Sequence, residues 1–270
     1  MLQVNRSPSA ALLTRVAPLV LLAVTGCGGP SMEGTVVDPW ERKLADVTVT
    51  VEGVADEQHT DDSGTFTLKA ERGASLNLLA MAEGYIRSSL TVRVPRSENV
   101  DLPKPKIVLY PDPGQPGFYA VAAEGYERLD TQAVHSVGTE LSSFTGLSDT
   151  GPAGVPPGVP LRVVFETNLR RADISRLDLR LTRLEFVDHR PIKDVYGESE
   201  VTVNLWVPTS DVPFDITGMG SVDDYLITSR EPLEPGAYAF QIQSVLTDPD
   251  LHHLERMPKE MRVAYPFEIR

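Results

Sequence analysis

Few residues of this chain could do covalent or coordination chemistry, and they are scattered. There is one cysteine, Cys27, and there are five histidines. The only run rich in metal-ligand types is His252-His253 with Asp248, Asp250 and Glu255 around it. A zinc or copper site needs its ligands converging on one point. Adjacent residues on a strand face opposite ways, so a surface loop without a metal is expected there. Asp56, Glu57, Asp61 and Asp62 offer oxygens of the kind calcium takes. They lack the alternating spacing of a calcium loop and read as a solvated acidic edge, which also discourages strand-to-strand aggregation. Gly218-Met219-Gly220-Ser221-Val222 has glycine where a nucleophile elbow needs serine, so a plain loop is expected. No His-Glu-x-x-His segment exists. Trp40, in Pro39-Trp40-Glu41, is a loop aromatic that could stack on a sugar ring, whereas Trp206 sits in a strand alternation and is expected in a core. No catalytic residue and no cofactor follow from these residues, and the expectation is a protein that is not an enzyme.

The thiol has the most informative surroundings. Arg6 and Arg15 precede nine residues, Val16 to Val24, that are apolar throughout, and no acidic residue comes before Glu33. Basic start, short apolar core and small residues after it make an export signal. The core is too short for a permanent span, which needs about 20 residues. Val24-Thr25-Gly26-Cys27 then resembles the lipobox of bacterial lipoproteins: aliphatic, small, Gly or Ala, Cys. The resemblance covers about the first 30 residues. It implies a diacylglycerol thioether on Cys27, cleavage of residues 1–26 and acylation of the new amine. Residues 27–31 would be a tether. Gly28, rather than an aspartate, points to the outer membrane of the cell envelope. Membrane lipid is thus one partner, and an envelope protein or glycan of unstated identity is the other.

Without residues 1–26 the chain keeps 244 residues, and its net charge moves from −13 to −15 as Arg6 and Arg15 are lost. A field of that sign repels nucleic acid, which excludes that class of partner. With no second cysteine there is no disulfide framework, so any exported domain must hold by burial alone. The 22 prolines and 20 glycines are spread along the chain and read as the turns of an all-β protein.

The elements that would position any site are short strands. Val47-Thr48-Val49-Thr50-Val51 alternates valine and threonine, putting one face inwards. Gly34 to Val37, Thr65 to Leu68 after the turn Asp61-Asp62-Ser63-Gly64, Leu76 to Met81, Leu90 to Val94 and Lys106 to Leu109 complete a small β-sandwich. Gly34-Thr35-Val36-Val37-Asp38, Leu44-Ala45-Asp46-Val47-Thr48-Val49, Thr60 to Leu68 and Gly84-Tyr85 resemble the carboxypeptidase regulatory-like domain, a transthyretin-like sandwich. Lys43 and Asp46 depart from that family's usual Pro and Gly. The resemblance covers residues 32–109 and implies an accessory fold without catalytic residues. Pro103, Pro105, Pro111, Pro113 and Pro116 form a stiff connector, with a break at Tyr110.

Residues 110–270 are expected to form a second β-rich domain, and the whole chain two β-sandwiches. Phe118 to Leu129 reads as a hairpin around Glu124-Gly125. Thr145 to Pro160, rich in Gly, Pro and Ser, reads as a long surface loop. Ile174 to Val187 fits a helical face or a strand with a one-residue slip, and the strand with a bulge is preferred. Val201 to Val207, Tyr225 to Thr228, Tyr238 to Phe240 and Met261 to Ile269 are strands. Pro235-Gly236 followed by Tyr238 and Phe240 is similar to late strands of immunoglobulin-like bacterial sandwiches. The functional expectation is a lipid-anchored envelope protein that binds or scaffolds. The alternatives are a carbohydrate- or peptidoglycan-binding lipoprotein and a hydrolase with a site assembled in the second half.

Overall fold

The computed structural model describes residues 30–270 except 140–141, 170, 175, 177, 221–222, 243–244 and 247–261. The chain is all-β. Its only described helix is one turn, α1 (Arg171–Ile174).

Seven strands build the first sandwich: β1 (Ser31–Val37), β2 (Thr48–Val51), β3 (Glu57–His59), β4 (Thr65–Lys69), β5 (Ser75–Met81), β6 (Ser88–Arg93) and β7 (Lys106–Val108). They form a three-stranded sheet, β4-β1-β7, and a four-stranded sheet, β3-β2-β5-β6. Alternation decides the faces. Val47, Val49, Phe66, Leu68, Leu78 and Ala80 are buried in one core, while the threonines between the valines face outwards. Burial of this apolar set holds the sheets together, at about 25 cal/mol for each Å² removed from water. Gly64 has φ of +69° in the turn before β4, as that turn requires. The Asp61 carboxylate organises this turn, accepting hydrogen bonds from Ser63 N (2.9 Å), Ser63 Oγ (2.7 Å) and Thr65 N (2.9 Å).

Twelve strands build the second body: β8 (Gly117–Val121), β9 (Tyr126–Leu129), β10 (Gln132–Thr139), β11 (Ser142–Leu147), β12 (Gly154–Val155), β13 (Pro160–Glu166), β14 (Arg180–Asp194), β15 (Gly197–Asp211), β16 (Phe214–Gly218), β17 (Asp224–Pro232), β18 (Gly236–Gln241) and β19 (Val263–Ile269). A five-stranded sheet, β16-β17-β13-β8-β9, faces a seven-stranded one, β10-β11-β15-β14-β18-β19-β12. Between them lies a core of stacked aromatics, Phe118 on Phe165 at 4.3 Å and on Phe240 at 5.2 Å.

Several expectations change. Thr145 to Pro160 is not simply a surface loop. Thr145 belongs to β11, Ala153 and Val155 are buried in the core, and β12 pairs in parallel with β19. The strand expected from Ile174 begins at Arg180, with Ile174 ending α1. β14 itself carries no slip: its register with β18 is unbroken from Arg180 to Leu184, so Leu181 faces the core between the sheets and Leu184 the opposite side. The register against β15 does shift twice, at Arg183/Leu184 and between Val187 and His189, and both times the extra residue is on β15. Within the second bulge, where Val203 and Asn204 oppose Asp188, Asn204 has φ of +48°, a conformation asparagine tolerates. β14 and β15 are longer than expected and make a hairpin arm whose tip, Val195-Tyr196, is 81% and 96% exposed.

The two bodies abut. Ile86, Tyr110, Tyr119, Val121 and Val164 form a buried cluster between them, with Trp40, Tyr126 and Met219 against it. Ile86 N donates to Tyr110 O at 2.8 Å, and Gly220 N to Arg87 O at 3.0 Å. The proline connector lies on this joint, where Tyr126 Oη donates to Pro111 O at 3.0 Å. Burial, with Tyr110 nearby, pushes the Tyr126 phenol up, so it stays neutral and keeps donating.

Candidate functional site

Trp40 lies at the joint rather than on an open platform. Its indole N–H donates to Ala122 O at 2.8 Å, 82 residues away. Its ring meets Tyr126 edge-on at 5.5 Å, and the Arg42 guanidinium sits over it at 4.8 Å. Asp38, buried at 1% exposure, fixes the loop by accepting hydrogen bonds from Trp40 N and Arg42 N. The groups a sugar would use on Trp40 are therefore already engaged by the chain itself.

Cys27 and the group of His252, His253, Asp248, Asp250 and Glu255 lie outside the described residues, as does Ser221. Gly218 closes β16 and Gly220 makes the joint contact already given. Asp56 and Asp62 are exposed, and Asp61 serves its turn, where the Ser63 hydroxyl first and the Thr65 amide next lower its carboxyl below the ordinary value. Among the described residues no three His, Cys, Asp or Glu side chains are grouped so as to hold a metal.

The open aromatic surface lies elsewhere. On the outer face of the seven-stranded sheet, Phe186 of β14 pairs directly with Trp206 of β15. Their rings meet at 5.5 Å and 60°. Phe186 is 49% exposed and Trp206 half-buried, so Trp206 is not the core residue its alternation suggested. Unbroken alternation along β14 sets this face: Leu181 lies in the core between the sheets, while Leu184 and Phe186 fall on the opposite side.

The same face is apolar further along. Leu147, Leu184, Ala237, Ala239 and Ala264 form a second buried patch, covered by Val245 and Leu246. That cover is pinned: Thr145 Oγ1 donates to Leu246 O at 2.6 Å, and Leu246 N donates to Gln241 Oε1 at 2.7 Å. Gln241 is itself held by its Nε2 donating to Thr182 Oγ1 at 2.9 Å. Beyond the cover, the sheet opens into a shallow depression of about 890 Å³ whose floor includes Leu184, Phe186, Trp206 and Ala237. Thr209, Ser210 and Glu268 stand at its rim. Glu268 is oriented by Thr150 Oγ1, which donates to its Oε1 at 2.6 Å.

Gly146 makes the surface possible. A side-chain carbon at that position would lie 2.5 Å from Trp206 O, so only glycine lets β11 close on β15 behind the aromatic pair. An apolar floor with two tilted rings, lined also by hydroxyls, the carboxylates of Glu185 and Glu268 and the Arg183 guanidinium, can stack on the C–H face of a ring and hydrogen-bond its edge. It holds no nucleophile paired with a base. The alternation in Val201 to Val207 was readable and holds: Val203 and Leu205 are buried in one cluster and Trp206 falls on the opposite face, where the sparse cover decides its exposure.

No protein-family profile matches the chain, and no curated protein matches it. Among solved structures, one from Bacteroides uniformis, described as a "putative carbohydrate binding protein", aligns with 88% of this chain and 96% of its own. The identity is 10% and the TM-score 0.18, and a likeness of that size decides nothing about this chain.

Proposed function

We propose that this protein is a lipid-anchored component of the cell envelope, held at the outer membrane by acylated Cys27, that binds a glycan without transforming it. The observation that supports the binding surface is the exposed cross-strand pair Phe186–Trp206 on the floor of an open depression. Stacking on such a pair suits the apolar face of a pyranose, and the rim groups Thr209, Ser210 and Glu268 suit its hydroxyls. The anchor is supported by the basic start, the apolar core and Val24-Thr25-Gly26-Cys27 in register.

The test is retention of the protein on insoluble peptidoglycan and on a panel of polysaccharides. Phe186→Ala and Trp206→Ala are expected to lower retention by about tenfold or more, the usual loss at a buried aromatic anchor. Phe186→Ala removes a half-exposed ring, so its melting temperature should stay near that of the wild type. The glycan should be recovered at its original length. No retention on any glycan, equal retention of both variants, or release of shortened products would overturn the proposal.

A further inference from the structure

The first sandwich has two different ends. β1, β3 and β5 begin, and β2, β4 and β6 finish, at one of them, as their antiparallel registers require. The other end carries Trp40, Ile86 and Tyr110 and is covered by the second body. The chain enters at the free end, where Ala70 N donates to Pro30 O at 2.9 Å.

Three loops make up that free end. Residues 52–56 turn with Gly53 at φ +82° and Val54 N donating to Val51 O. Residues 70–74 lie beside them, and residues 94–105 are tied to these by Arg72 Nη1, which donates to Val100 O at 2.7 Å. The loops leave Val54 54% exposed and Val100 48% exposed. Between the sheets they surround an apolar recess of about 410 Å³ lined by Val51, Val54, Leu68, Ala70 and Leu76. Asp56, Lys69 and Glu71 also line it, and the three loops carry exposed charges of both signs, Arg96, Glu98 and Asp101 among them.

We propose that this end rests on the phospholipid surface, with Val54 and Val100 seated at headgroup level. The inference rests on acylation of Cys27, proposed above. Only Gly28 and Gly29 separate Cys27 from Pro30, a reach of roughly 10 Å at full extension. A lipid on Cys27 therefore keeps Pro30, and Ala70 hydrogen-bonded to it, within roughly that reach of the bilayer surface and brings the same end of the sandwich to it. Charges of both signs around two exposed valines suit zwitterionic headgroups rather than a strongly anionic surface. The glycan-binding face, on the other body, is then held away from the lipid.

The experiment uses the acylated full-length protein in vesicles of phosphatidylethanolamine and phosphatidylglycerol with brominated acyl chains. Since the Cys27 sulfur is consumed by lipid, single thiols from Val54→Cys, Val100→Cys and Tyr196→Cys can each take a fluorescent label. Bromine is expected to quench the labels at 54 and 100 at least about twofold more than the label at 196, with little response to salt. Melting curves of the labelled proteins control for folding. Equal quenching at the three positions, on protein that floats with the vesicles, would overturn the orientation alone. Mass spectrometry of the N-terminal peptide separates the other case: an unacylated Cys27 would remove the anchor and this proposal with it.

Discussion

At φ +69°, a β-branched residue in place of Gly64 would be strained, and a side-chain carbon there would also lie 2.8 Å from Val36 O. Gly64→Val is expected to destabilise the first sandwich by about 1–2 kcal/mol, read as a lower midpoint in chemical unfolding. An unchanged midpoint would show that the turn rearranges freely. Glu166, at the end of β13, is a second residue with a consequence. Its Oε2 is buried without a hydrogen-bond partner. Burial first, then Asp112 and Asp224, pushes its carboxyl above the ordinary value of 4.5, against the Gln115 and Gly114 amides. A folded value above the unfolded one means that protonation favours the fold. That stability is fully present below the unfolded value and is lost as pH rises through the folded one. Glu166→Gln, which stays neutral, is expected to melt higher than the wild type at neutral pH. The advantage should vanish as pH falls towards 4.5, and a difference independent of pH would refute this assignment.

The elements that were legible in the sequence are those whose alternation is strict and local. β2, β4 and β5 put valine, phenylalanine, leucine or alanine at every second position. β3 was missed because Glu57-Gln58-His59 has no apolar residue, and it exists only because β2 offers it a partner. The outer half of the β14–β15 arm was missed because Asp188, His189, Arg190, Glu198 and Glu200 are exposed whichever way they point. A signal was nevertheless present: Asp194-Val195-Tyr196-Gly197 has the Asp-first, Gly-fourth signature of a tight turn. The residues singled out from the sequence divide in the same way. Cys27 and the loop position of Trp40 are local features, whereas the contact from Trp40 to Ala122 spans 82 residues and has no local signature. Gly146 lies where β11 meets β15, and its close neighbour is backbone, which cannot swing aside. Gly146→Ala is therefore expected to force the strands apart and to destabilise by about 1–3 kcal/mol, with Trp206 emission shifting to the red as the ring gains water. Unchanged emission and midpoint would mean that the sheet absorbs the methyl group elsewhere.

For the whole molecule, each body has a core of its own and a smaller cluster joins them. Residues 32–109 expressed alone are expected to give a β-type circular dichroism spectrum and a cooperative melt, because their core draws on no residue beyond Leu109. The melt should lie below that of the full chain, since Trp40, Ile86 and Val108 lose their cover. A disordered fragment would show that the joint is required for folding. The pairing of β1 with β7 has one more consequence, and it concerns force. The two strands are parallel neighbours, joined at Thr35–Lys106, Val36–Ile107 and Val37–Val108. The chain enters at the start of one and leaves at the end of the other. A pull between an anchored Pro30 and a load on the second body draws them past each other lengthwise, so their hydrogen bonds are stressed together. A pull between Pro30 and Lys69 would instead peel β1 from β4, where Ser31 faces Lys69 and the pairs part in succession. In single-molecule stretching, the first geometry is expected to yield at the higher force, which would make this sandwich a mechanical link between an anchor and whatever its distal partner grips.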